Sequence, residues 1–267
     1  MSIFERYAEQ IEKQIRPTSY PLAVKLLEKE SDIPKDAKRP IRDFGYCLST
    51  CQCFSTSRRQ GTTLAQLKED MWCPEPVIGY GLAETPKYFL DGNNRFPKDV
   101  ETLEAGSNWA HAFPRLEFGR YIGVLSAPLK TANFDPNLVM IYCNSAQLTQ
   151  LLLGIAYKDG HDITSQLSGH AACVYSVVPA IRTEKCQVTV PCLGDRRRAM
   201  AQDDEMIFTV PRQKMDNLLL GLKHIDEFGD RRIPFAYPMI PEYKLSENYA
   251  KIARMMGMKK GNGTEIR

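Results

Sequence analysis

The chain has 267 residues, of which 43% are hydrophobic and 25% charged, with a net charge of +3. That length supplies a sizeable core, and the composition is that of an ordinary globular protein. So small a charge gives no electrostatic case for nucleic acid or a membrane surface as partner, and no run approaches the ~18 apolar residues of a spanning helix.

The opening segment MSIFERYAEQIEKQIR is charged throughout and lacks the apolar stretch of a signal peptide. A cytoplasmic setting with reduced thiols is therefore expected. There, eight cysteines point to metal binding or thiol chemistry more than to disulfides. Against this stands the habit of free Cys to bury as a small hydrophobe.

Residues 4–15 place Phe4, Tyr7, Ala8, Ile11 and Ile15 at helical spacing, and Pro17 ends that helix. A strand is predicted over 20–27, with Leu22, Val24 and Leu26 on one face. A polar connection over 31–42 leads to a helix over 44–58, where Phe44, Cys47, Leu48, Cys51 and Phe54 form a stripe. Residues 62–67 alternate as a strand, 71–81 form a turn with Pro74, Pro76, Gly79 and Gly81, and 86–94 form a short strand. A helix is predicted over 99–113, where Trp109 and Phe113 are read as core. Residues 121–127 and 138–143 are strands, the second buried. The helix over 145–157 is capped by Asn144 or Ser145, carries a Leu/Ile stripe and is followed by Gly160. A strand over 163–167 precedes a helix capped by Ser168 that turns Cys173, Val174, Val177 and Val178 inward. Strands over 186–190 and 205–210 follow, then a helix begun by Pro211. A last helix spans 246–256, ahead of a polar tail from Lys259.

Helices and strands intermix without a strict βαβ rhythm, so the expected class is α+β (mixed α/β). The expected organisation is one domain over 1–267, with two weakly related halves, 18–132 and 137–228. The relation rests on element order and Cys position. Twice the chain runs helix-Cys, strand, turn-Cys: Cys47 then Cys73, and Cys173 then Cys192.

Cys47, Cys51 and Cys53 read C-x3-C-x-C, one residue short of the spacing of radical enzymes that use S-adenosylmethionine, and in a helix rather than a loop. No C-x-x-C pair, P-loop, H-E-x-x-H or G-x-S-x-G motif occurs, and Gly79-Tyr80-Gly81 lacks the third glycine of a dinucleotide site. A metal site would have to come from distant segments, with soft thiolates selecting iron–sulfur, zinc or copper. His170 and Cys173 are expected on the first turn of one helix, where a thiol gains thiolate character. Cys192-Leu193-Gly194-Asp195-Arg196 joins a thiol to charged groups. Arg196, Arg197 and Arg198 are either a solvated basic turn or an anion clamp.

Several segments resemble the domain-of-unknown-function family 169 of anaerobic archaea and bacteria. They are Pro21-Leu22-Ala23-Val24-Lys25-Leu26, the stretch from Cys73 to Gly79-Tyr80-Gly81-Leu82, Ser168-Gly169 to Cys173, Cys192-Leu193-Gly194-Asp195-Arg196, Asp204-Glu205-Met206 and Val210-Pro211. The resemblance runs from Pro21 to Leu222 and implies a soluble protein of anaerobic metabolism. Its cysteine-bearing motifs fall on Cys47, Cys73, Cys173 and Cys192, leaving Cys51, Cys53, Cys143 and Cys186 as structural. Habitat and ligand type together favour iron–sulfur chemistry.

The leading expectation is a cytoplasmic metalloprotein whose iron–sulfur cluster is ligated by Cys47, Cys73, Cys173 and Cys192. His170 and Arg196 would assist or bind substrate, and the role would be electron transfer or a redox step on a small molecule. Partners would be a small-molecule substrate or a redox protein, with homo-oligomerisation allowed. The alternatives are a metal-free thiol enzyme acting through Cys173, and a non-catalytic small-molecule-binding accessory subunit.

Overall fold

The period-two pattern of the central strands decides the architecture. In the computed structural model, which describes residues 2–228 and 246–258, Leu22, Val24 and Leu26 of one strand enter one apolar core while Ala23 and Leu27 enter another. Leu138, Met140 and Tyr142 divide in the same way from Val139, Ile141 and Cys143. A strand apolar on both faces must be covered on both, and helices flank the sheet on each side.

In chain order the elements are α1 (Ile3–Ile15), β1 (Leu22–Leu27), α2 (Thr50–Gln60), β2 (Leu64–Leu67), α3 (Pro74–Gly79), α4 (Lys87–Leu90), α5 (Leu103–Ala112) and β3 (Gly123–Pro128). Then come β4 (Leu138–Cys143), α6 (Ser145–Ala156), α7 (Ala172–Thr183), β5 (Gln187–Thr189), α8 (Leu193–Ala199), β6 (Met206–Pro211), α9 (Met215–Phe228) and α10 (Glu247–Met255). The six strands form one antiparallel sheet in the order β2-β3-β1-β4-β6-β5. The fold is α+β.

The sheet order is mirrored about the β1–β4 seam. From the seam outward the first half contributes β1, β3, β2 and the second β4, β6, β5. The seam pairs only Leu22–Val24 with Leu138–Met140, and Asn137 lengthens it by accepting the Leu26 N–H on its side-chain oxygen at 2.8 Å. On one face α1, α6 and α9 cover the sheet; on the other, α2, α3, α7 and α8 do. There, helices from opposite halves meet: α2 packs on α8, and α3 on α7.

The chain divides into two units, Met1–Ile233 and Pro234–Arg267. In the second, α10 follows its Ser246 cap and buries Ala250 and Ala253. The polar tail from Lys259 lies outside the described residues.

Several local expectations are corrected. The helix predicted over 44–58 is a π-helical turn, Pro40–Phe44, followed after a break by α2. Ser49 starts α2 with a capping box: its Oγ accepts the Gln52 N–H at 3.2 Å, while its own N–H donates to Gln52 Oε1 at 2.9 Å. The turn over 71–81 contains α3, and the strand over 86–94 is the single-turn α4. Residues 163–167 form no strand. The helix over 99–113 begins later, at the Thr102 cap, and α7 follows Ala171 rather than Ser168.

The α6–α9 crossing depends on two glycines. A Cβ at Gly221 would meet the Gly154 carbonyl oxygen first, with Gly154 C at 2.7 Å and Cα at 2.9 Å, all backbone. Gly221→Ala is therefore expected to force the helices apart, costing about 1–3 kcal/mol. That outweighs the roughly 1 kcal/mol by which Ala is the better helix former. A urea midpoint at or above that of the parent would contradict the close crossing.

Candidate functional site

The two packings between halves bring four thiols to one place. Cys51 is the second helical residue of α2 and Cys173 the second of α7. Cys73 is the N-cap of α3 and Cys192 that of α8. All four line one cavity of about 300 Å³, with Trp72, Arg95, His170, Arg197 and Arg198 among its other walls. Cys51 is within hydrogen-bonding reach of Cys173 and Cys192. Cys73 continues the row, near enough to Cys173 for their charges to interact.

The thiols differ in proton affinity. The Cys192 thiol is brought down to about 5, first because Cys51 donates to it. Burial opposes this, but the backbone N–H groups of Ala172, Asp195 and Gly194 add to the lowering, the Asp195 N–H lying 3.4 Å from the sulfur. Ala171 stands in the left-handed region at φ 49° immediately before the Ala172 donor. Cys51, the donor in the row, is held well above the usual thiol range by its bonds to Cys173 and Cys192 and by burial. Burial likewise raises Cys73, whose sulfur also lies 3.1 Å from Glu75 Oε2.

Behind Cys192 runs a buried polar chain. Asp195 is raised to about 7, chiefly by burial and then by the Cys192 charge. Its Oδ2 accepts from the Tyr142 hydroxyl at 3.2 Å. The Arg58 guanidinium sits 3.8 Å over the Tyr142 ring and forms a two-pronged pair with Glu205 at 2.8 and 3.0 Å. On the other side the Tyr80 hydroxyl donates to the Cys173 carbonyl at 2.9 Å.

Of the residues expected from sequence, Cys73, Cys173, Cys192 and His170 line the cavity. Cys47 does not: it precedes α2, and its sulfur donates to the Glu69 carbonyl at 3.5 Å. Cys51, which sequence reasoning left among the structural thiols, takes the corresponding place. The Ser49-x-x-Gln52 box is the signal that finds it, because it fixes the helix start. Arg196 is turned away onto the Gln202 carbonyl, whereas Arg197 and Arg198 line the cavity. His170 precedes α7 rather than sharing its first turn with Cys173. Trp109 and Phe113 pack with Phe89. Cys53 is raised by burial first and then by Asp70. Cys143 and Cys186 are each pushed up to about 12, mainly by burial, and belong to the core on the other face of the sheet.

Residues 10–221 match the domain-of-unknown-function family 169, described as uncharacterised ArCR. The chain belongs to that family. The matched region contains all four cavity cysteines together with Arg58 and Glu205, and excludes α10. An uncharacterised protein of Methanocaldococcus jannaschii is similar to this member of the family, at 22% identity over 206 residues, which is 76% of this chain and 86% of the relative. No solved structure matches the chain. No helix among the described residues is long and apolar enough to cross a membrane.

The donor set suits a thiophilic centre: four thiols, soft donors, one from each of four segments. Among the described residues no three His, Cys, Asp or Glu side chains surround a point that one ion would occupy. The thiols neighbour one another in pairs, Cys173 and Cys192 with Cys51, and Cys73 with Cys173.

The row also predicts a reactivity order. In metal-free protein Cys192 should be alkylated by iodoacetamide before Cys51, at a rate rising through about pH 5 and level above it. A rate that rises only near the ordinary thiol value, about 8.5, would show that Cys192 is not held as a thiolate.

Proposed function

We propose that the cavity holds an iron–sulfur cluster through Cys51, Cys73, Cys173 and Cys192, and serves electron transfer or a redox step on a small molecule in the cytoplasm. The observation that carries this reading is the convergence of four thiols from four separate segments, two from each half, on one cavity. When bound, such a cluster supplies electron-transfer chemistry. The chain's own groups do the rest. Ala172, Gly194 and Asp195 N–H groups stabilise negative charge on the Cys192 sulfur. Tyr80 fixes the backbone of Cys173. The Arg58–Glu205 pair holds Tyr142 against Asp195 behind the site.

The test is anaerobic purification followed by reconstitution with ferrous iron and sulfide. The expected product is brown and contains iron and acid-labile sulfide. A folded protein that takes up neither overturns the reading. A metal-free thiol enzyme is the second reading, favoured by the N–H donors gathered on one cavity-lining sulfur. It moves the nucleophile from Cys173 to Cys192, and would be supported by loss of activity on alkylation of Cys192 alone.

A further inference from the structure

The cavity walls carry an unbalanced charge. Arg95 claims both carboxylates that line it, Glu75 at 2.8 Å and Asp99 at 3.0 Å. Arg95 is 6% exposed and lies 4.0 Å over the Trp109 ring. Its third partner is His170 Nδ1 at 3.0 Å. A guanidinium can only donate, so Nδ1 accepts, and the ring proton of His170 sits on Nε2 as a further donor. Lys98, Arg197 and Arg198 remain on the lining. None of the three belongs to an ion pair among the described residues; Arg198 only lies over the Trp72 ring at 4.7 Å. One buried donor of a lining residue, Arg95 Nε, also lacks an acceptor.

The lining therefore sets Arg95, Lys98, Arg197 and Arg198 against Glu75, Asp99 and the Cys192 thiolate, which leaves a positive excess, and Arg95 engages both carboxylates. A ligand complementary to it brings acceptor oxygens and negative charge. We propose that this cavity binds a small oxyanion, a carboxylate or a phosphate group, between Lys98, Arg197 and Arg198, and holds it above the row of thiols. The proposal rests on the cavity being the functional site and names the class of molecule that site takes. It does not depend on whether the thiols carry a cluster. Arg forks match carboxylate and phosphate oxygens in pairs, and the thiols below would then face the rest of the bound molecule.

Binding is measured on the metal-free protein by calorimetric titration at low salt, with inorganic phosphate in one arm and malonate in the other. Saturable binding of either supports the proposal, and the arm that binds more tightly identifies the group recognised. Arg197→Gln/Arg198→Gln should weaken binding by at least about tenfold, through loss of charge-assisted bonds. Lys98→Gln should weaken it less, and Lys29→Gln, at an exposed position outside the cavity lining, not at all. Arg197 and Arg198 are exposed, so the double variant should retain the parent's unfolding midpoint and, on reconstitution, its iron content. No saturable binding of either anion, or binding unchanged in the double variant, overturns the proposal. Anion binding by a protein that refuses iron would overturn the cluster and leave this site standing.

Discussion

Replacing Glu205 by Gln is expected to lower the stability of the fold by about 3–5 kcal/mol, read as a fall in urea midpoint. Arg58 is 1% exposed and Glu205 4%. Both prongs of the pair are short, and the remaining acceptor capacity is used by the Gln202 N–H at 2.8 Å. The guanidinium also donates to Ser19 Oγ at 2.9 Å. Removing the carboxylate charge strips the enclosed cation beneath Tyr142 of its bonded counter-ion, leaving only the Asp195 carboxyl beyond the ring, and it is this poorly compensated charge that costs. The double replacement Arg58→Met/Glu205→Leu should recover much of the loss, since neither member of the pair is left as an unpaired buried charge. A loss below about 1 kcal/mol for Glu205→Gln, the scale of an exposed pair, would mean that water reaches the site.

The same pair sets an acid limit on the fold. Burial pushes the Glu205 carboxyl up, but the Arg58 bonds, the Gln202 N–H and the nearby Arg59 outweigh it, and the net displacement is downward. The folded state thus binds this proton less tightly than the unfolded chain. The stabilisation is complete above the ordinary glutamate value, about 4.3, and is lost as pH falls through the lowered folded value. Glu205→Gln should flatten that part of the stability profile.

Serine at any one of Cys51, Cys73, Cys173 and Cys192 is expected to reduce the iron retained after reconstitution to a small fraction of the parent's, if the four thiols share one cluster. Cys47→Ser should retain the full amount. The Cys47 and Cys51 pair is the informative one, because the two residues stand four apart and only one lines the cavity. Iron lost with Cys47→Ser and kept with Cys51→Ser would return the ligand role to Cys47. Circular dichroism separates loss of iron from loss of fold, because Ser in place of the buried Cys51 changes one atom.

The central strands were legible because both faces of β1 and β4 are apolar, which leaves a strand sandwiched between helices as the economical solution. α6 was legible from its cap and stripe. α3 was not: Pro74 and Pro76 suggest a turn, yet a first-turn proline gives up an N–H that the helix leaves unpaired in any case. The layout helix-Cys, strand, turn-Cys was visible in both halves, but the apolar stripe over 44–58 drew the first helix back across the Ser49 cap and selected Cys47, which lies off the cavity that Cys51 lines. The Arg58–Glu205 pair leaves no local trace, since its partners stand 147 positions apart. The cavity charges are hidden in the sequence for a similar reason. In sequence Arg196, Arg197 and Arg198 are equivalent, and only the turn of α8 sends Arg196 to Gln202 and the next two to the cavity.

The mirrored order of the strands has a consequence for how such a centre can be assembled. Each half supplies one helix thiol and one N-cap thiol, and each N-cap helix rests on the opposite half. Neither half encloses the cavity alone. A polypeptide of half this length, carrying one β-α-β-turn-β run, would complete four thiols only by pairing with its own copy across the central strands. Covalent linkage of the two runs lets them differ, so that the lining is near-symmetric in its sulfurs but not in its cations, Arg95 and Lys98 coming from the first half and Arg197 and Arg198 from the second.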